Sequence, residues 1–178
     1  MKATRILLAA MVLGIVSASQ ADAQCSGNAG TCNTTNTASV TVGALVKLGM
    51  LTTTTTLTNP TADDVDVGAV IADNGPVFTI KANRSWTLKI KSQQAANWIY
   101  AGSSGGVKPI SHLAWSTASN GSFAAITASD ATFASSGSAS NGTAAQAFFK
   151  TTWVADFADP SNREGTYTLP IVFTLTAP

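Results

Sequence analysis

Along the chain, large apolar side chains recur at every second position in short runs, broken by clusters of Gly, Asn, Ser, Pro and Asp. The clearest run is TYTLPIVFTLT, where Tyr167, Leu169, Ile171, Phe173 and Leu175 alternate with Thr168, Pro170, Val172, Thr174 and Thr176. Strict period two, rich in β-branched and aromatic residues, predicts a strand with one buried face. The same pattern marks ASVTVGALVKL, where Val40, Val42, Ala44, Val46 and Leu48 share a face. In WTLKIK it turns Trp86, Leu88 and Ile90 inward and Lys89 and Lys91 outward. VFTIKA buries Phe78 and Ile80, and DVDVGAVI sets Val65 and Val67 on one face before a turn at ADNGP. NWIYA, KPISHLAWS, FAAIT and AQAFFKTTWVADF are further strand candidates. The TTTTT run at 52–56 has β-branched residues on both faces, so its register is weakly specified.

No stretch after the first residues reads as a long amphipathic helix. Short strands with frequent turn signals predict an all-β protein, an Ig-like antiparallel β-sandwich. Residues 116–147 are rich in Ser, Ala, Gly and Asn, and their Asn120-Gly121 and Asn141-Gly142 pairs suit type I′ hairpin tips. A flexible linker is the competing reading of that segment, but it would leave too few strands on either side for a stable sandwich.

The beginning of the chain has a different character. Lys2 and Arg5 precede an apolar stretch, Ile6–Val16, and Ala21-Asp22-Ala23 offers a small-x-small cleavage site. This is the pattern of a cleaved signal peptide over residues 1–23, with the exported chain starting at Gln24. The apolar stretch is too short to span a bilayer comfortably, and no later run approaches spanning length. The expected organisation is a signal peptide (1–23), an N-terminal segment (24–37) and a β-sandwich domain (38–178). The expected location is secreted, periplasmic or at a bacterial cell surface.

Charge narrows the partners. Removing Lys2, Arg5 and Asp22 from the ten basic and nine acidic residues leaves the exported chain with no net charge. Nucleic-acid binding, which needs a basic footprint, is excluded on that ground. A surface made polar by Thr, Ser, Asn and Gly has little charge repulsion to keep copies apart, which suits packing beside copies of itself. The two cysteines, Cys25 and Cys32, lie in CSGNAGTC. Export makes a disulfide between them the expectation, a staple of the 24–37 segment rather than the main support of the fold. Two cysteines and His112, the single histidine, do not make a closed zinc site, which wants four ligands. No pattern in the chain implies a cofactor or a resident metal.

Several motifs have a chemical and an ordinary reading. GSSGG at 102–106 matches the letters of a nucleophile elbow centred on Ser104, but strand-like sequence with a proline follows it where a helix is required. A Gly-Ser hairpin loop fits better, with His112 on the next strand. Asp63, Asp64 and Asp66, followed by Asp73 and Asn74, form an oxygen-rich stretch of the kind that holds Ca²⁺, yet the spacing misses the EF-hand pattern. A solvated turn uses the same residues, and both readings stay open. Asp156 and Asp159 in ADFADP are ordinary turn formers as much as a carboxylate pair. Trp98, Tyr100 and Trp115 bracket the AGSSGG loop and are candidates for stacking on sugar rings, or equally for core packing.

Two stretches carry a resemblance. NRSWTLKIKS contains Trp86-Thr87-Leu88, and the chain closes on GTYTLPIVFTLTAP. Together they resemble bacterial WxL-type surface domains, although Phe173-Thr174-Leu175 stands where those domains carry a second W-x-L. The closing strand also looks like that of spore-coat-U-like and chaperone–usher pilus subunits. Those resemblances imply a secreted Ig-like sandwich in which a terminal strand completes a core, often a neighbour's. Here the run with Val40, Val42, Val46 and Leu48 is the candidate for strand exchange. The functional expectation is a non-enzymatic exported surface protein with a structural or adhesive role, of which a fibre or pilus-like subunit is one form. A secreted carbohydrate-binding module, with polysaccharide as partner, is the alternative.

Overall fold

Ten strands, one short α-helix and two 3₁₀ turns account for the regular structure of the computed structural model, which describes residues 34–178. The signal peptide expected over 1–23 lies outside the described residues. So do Cys25 and Cys32. The expected disulfide is withdrawn: the described residues contain no disulfide and no cysteine, and the sheets close without one.

In chain order the strands are β1 (Val46–Met50), β2 (Val70–Ala82), β3 (Trp86–Ser92), β4 (Ile99–Ala101), β5 (Leu113–Ser116), β6 (Ala124–Ala125), β7 (Ala131–Ser136), β8 (Ser140–Thr152), β9 (Thr166–Thr168) and β10 (Ile171–Thr176). Every pairing is antiparallel. One sheet has the order β1-β2-β8-β5-β6, a second β10-β3-β7, and β4 pairs with β9 alone. The links β2–β3 and β7–β8 pass from the first sheet to the second or back, so sequence neighbours face each other across the core.

That core is the product of the alternation. Phe78 and Ile80 of β2, Trp86, Leu88 and Ile90 of β3, Phe133 of β7 and Phe149 of β8 are all buried. Phe78 meets Phe173 of β10 at 4.5 Å between ring centres, and Phe133 lies edge-on to both at 5.7 and 5.6 Å. Aromatic rings in such offset and edge contacts add to simple area burial. Lys89 and Lys91 point outward, as read from the sequence, and both reach Asp130.

Local chemistry overrode the alternation in places. Residues 62–66 form helix α1 (Ala62–Asp66) instead of a strand, which buries Val65 and leaves Val67 exposed. The cause is a reciprocal cap: Asp64 N donates to Thr61 Oγ1 (3.2 Å) and Thr61 N to Asp64 Oδ2 (2.8 Å). ADNGP is not a turn. It lies within β2, where Asn74 pairs with Phe148 and Val77 with Gln146, so Gly75 and Pro76 oppose the single residue Ala147 as a bulge. Proline, with no N–H for the ladder, is tolerated at such a bulge.

Asn120-Gly121 sits in the β5–β6 connection but is not a type I′ tip: neither residue has a positive φ, and Gly121 N donates to Ala118 O (3.1 Å), so the turn centres on Ser119-Asn120. Asn141-Gly142 is instead inside β8, where Gly142 is the extra residue of a second bulge at φ +104°. Between those pairs lies β7, a strand hidden by its small residues. The closing run divides at Leu169-Pro170: β9 pairs with β4, and β10 with β3. The TTTTT run has no regular structure, and His112 ends a 3₁₀ turn (Ile110–His112) rather than lying on a strand.

Candidate functional site: a groove along the last strand

Among the described residues β10 ends its sheet, and its outer edge has no hydrogen-bonded neighbour there. Phe173, at the centre of the aromatic cluster, is only half-buried as a result. Beside that edge runs a groove of about 1040 Å³. The strap Thr52–Pro60, between β1 and α1, lines one wall; the stretch 162–171 and Phe173 line the other. The strap is tied at its ends. Leu51 N donates to Val77 O (3.0 Å), and Thr58 N and Oγ1 donate to the Asp73 carboxylate at 3.1 and 2.6 Å.

The floor is apolar under Trp98, Leu113 and Phe149, and polar at Lys108, Thr151 and Trp153. Lys108 is 1% exposed. Its Nζ donates to Thr152 O (2.9 Å) and stands 3.7 Å from the centre of the Trp153 ring. Burial pulls its pKa down to about 8, against a smaller upward pull from Asp159. Asp159 forms no ion pair with it; Asp159 Oδ1 accepts from Ser161 N (2.8 Å) and Oγ (2.6 Å), bonds that hold its own pKa below the usual range. His112 is also pulled down, by burial and by the nearby Lys108 charge.

The sequence-derived candidates fall as follows. Val46 and Leu48 stand in β1, paired with Ala82 and Ile80 of the same chain. Val40 and Val42 precede it outside any strand, 88% and 66% exposed. Asn83 tethers this approach, its Nδ2 donating to Gly43 O (2.8 Å) and its Oδ1 accepting from Leu45 N (2.9 Å). Trp98 belongs to the core at 8% exposure, with Nε1 donating to Pro109 O (3.1 Å). Trp115 packs on Phe133 at 5.6 Å. Tyr100 faces Tyr167 across the β4–β9 pair, 5.1 Å between ring centres, and its hydroxyl donates to Glu164 O (2.6 Å).

Ser104 Oγ joins that network, donating to Glu164 O (2.8 Å), and makes no bond to His112. Asp64 is engaged by Thr61 and Asp73 by Thr58, so the acidic stretch caps local structure. Asp156 Oδ1 likewise accepts from Ala158 N (2.8 Å). Among the described residues no three His, Cys, Asp or Glu side chains gather closely enough to hold a metal ion. No helix among them is long and apolar enough to cross a membrane. Sequence reasoning missed Lys108 and the Thr151–Trp153 segment. A lysine in GGVKPIS carries no local sign of burial, because lysine is ordinarily a surface residue.

No protein-family model and no curated protein sequence matches the chain. A solved structure of a chaperone–usher pilus, described as revealing the molecular basis of rod uncoiling, is distantly similar. The similarity covers 86% of this chain and 99% of that one, at 10% identity and a TM-score of 0.47. A likeness so remote carries no conclusion about this chain's role.

Proposed function

We propose that the protein is an exported bacterial surface protein with a structural or adhesive role, a fibre-like building block whose Ig-like sandwich is completed by a strand from a neighbouring copy. The observation that carries this reading is the outer edge of β10, unpaired among the described residues, beside a groove with the half-buried Phe173 at its margin. An unpaired edge strand offers backbone groups for hydrogen bonds, and the half-buried Phe173 on it offers a surface for a neighbour's alternate side chains. The Val40–Leu48 run has the alternation for it, and its leading part, with Val40 and Val42, is exposed and unpaired. The neutral, hydroxyl-rich composition and the expected signal peptide agree with assembly outside the cytoplasm.

The test is the assembly state of the full-length exported protein by sedimentation. Chains or stable oligomers are expected, and Val40→Asp with Val42→Asp should shift them to monomer while leaving the circular dichroism spectrum intact. A plain monomer at all concentrations overturns the reading. If that monomer is held on a polysaccharide and Trp115→Ala releases it without a change in melting temperature, the carbohydrate-module alternative takes its place.

A further inference from the structure

Among the described residues, three buried side-chain atoms lack a hydrogen-bond partner: His112 Nδ1, Thr151 Oγ1 and Trp153 Nε1. All three lie around Lys108. Thr151 precedes the residue whose carbonyl accepts the ammonium, Trp153 lies under it, and His112 is close enough to feel its charge. Buried polar groups are almost always paired, and a buried ammonium without an anion is costly, so Lys108, Thr151 and Trp153, which line the groove together, call for an occupant.

We propose that this end of the groove binds the carboxylate of a small amphipathic molecule, whose apolar part lies along Trp98, Leu113 and Phe149. The donor set selects an anion. Lys108 keeps two N–H groups after its bond to Thr152 O, Trp153 Nε1 can only donate, and the Thr151 hydroxyl is free to donate. One cation matches one negative charge, and the apolar floor beside it disfavours a doubly charged phosphate. The chain's own exchange candidate cannot supply the group, because residues 24–48 contain no Asp or Glu.

Lys108 and Thr151 are 1% and 2% exposed, so the occupant enters only when the strap lifts. No hydrogen bond joins residues 52–57 to the rest of the described chain; the strap is held by hydrogen bonds at Leu51 and Thr58 and by Leu57, which packs against the core. Because Lys108 titrates near 8, affinity for a carboxylate should fall as pH rises through that value. The titratable groups whose charge reaches it are His112, held down by burial, and Asp159, tied to Ser161; Arg163 and Glu164 also line the groove.

The test titrates full-length protein with octanoate and, separately, with its neutral analogue octanamide. Octanoate should bind about tenfold or more tightly near neutral pH, as a charge-assisted bond requires. Lys108→Met, which keeps the length of the stem, should erase that preference. A second measurement needs no variant: NMR titration of the Lys108 ammonium should show its pKa rising above about 8 when octanoate saturates the protein. Equal affinity for the two probes, no binding of either, or a Lys108 titration that octanoate does not move would overturn the proposal.

Discussion

Trp86 Nε1 donates a 2.7 Å hydrogen bond to Ser140 Oγ, joining β3 in one sheet to β8 in the other. The indole is 3% exposed, so the bond sits at the margin of the core and fixes the ring's orientation. Trp86→Ala should cost about 3–5 kcal/mol, the range for a buried aromatic. Ser140→Ala should cost about 1–2 kcal/mol, because it strands the N–H rather than the ring. Urea unfolding of both variants checks the order; a Trp86→Ala loss no larger than that of Ser140→Ala would contradict the packing.

The outward face of the same strand should be insensitive. Lys91 Nζ lies 3.1 Å and Lys89 Nζ 3.9 Å from the Asp130 carboxylate, all on the exposed side. Exposed ion pairs contribute little and are screened by salt. Lys89→Ala should change stability by less than about 0.5 kcal/mol. A loss above 1 kcal/mol in moderate salt would place this lysine in a tighter network than the structure describes.

The bulge in β2 makes a sharper claim. A Cβ on Gly75 would come within 2.6 Å of Phe149 Cε2 and 2.9 Å of Ala147 O. Gly75→Ala should therefore destabilise by about 1–3 kcal/mol through overpacking. Gly137 meets nothing within 4 Å, and Gly137→Ala should be neutral or slightly stabilising. Similar melting temperatures for the two variants would mean the bulge is not packed as described.

Lys108 predicts an unusual pH dependence. Its pKa falls from 10.5 in the unfolded chain to about 8 in the fold, so the unfolded state binds more protons between those values. The cost of burying the charge is fully present below pH 8, and stability should rise as pH climbs above it, towards a ceiling of about 3 kcal/mol. Tyr167, whose pKa is raised by burial, works in the opposite direction above about pH 10, so the rise should show between pH 8 and 10. Urea midpoints at pH 7.5 and 9.5 test this, with Lys108→Met as the flat control. No rise in the native protein would refute a buried, charged Lys108.

What was legible in the sequence was the property each residue shares with its immediate neighbours. Period two fixed the inward face of Trp86, Leu88 and Ile90 and of Phe78 and Ile80, because successive Cβ atoms in a strand point to opposite sides whatever the partner. The absence of helical periodicity placed the chain among antiparallel β proteins. The β5–β6 connection around Asn120-Gly121 was legible because it is local, but its turn type was not.

Tertiary structure decided the choices that depend on distant partners. Asn141-Gly142 has the composition of a hairpin tip, yet β8 continues through it because thirteen-residue β2 offers a longer ladder on the other side. One alternating run became β9 and β10 because β4 and β3 each claimed half of it; Pro170 has no N–H to give and offers only its carbonyl, which accepts from Gln93 N (2.9 Å). The free edge of β10 is a fact about the order of strands in a sheet, which alternation does not encode. The burial of Lys108 came from distant elements: the Thr152 carbonyl and Trp153 ring at the end of β8 and the strap after β1 were brought to it from two other parts of the chain. A residue's charge is written in the sequence, but the water it loses depends on everything that folds over it.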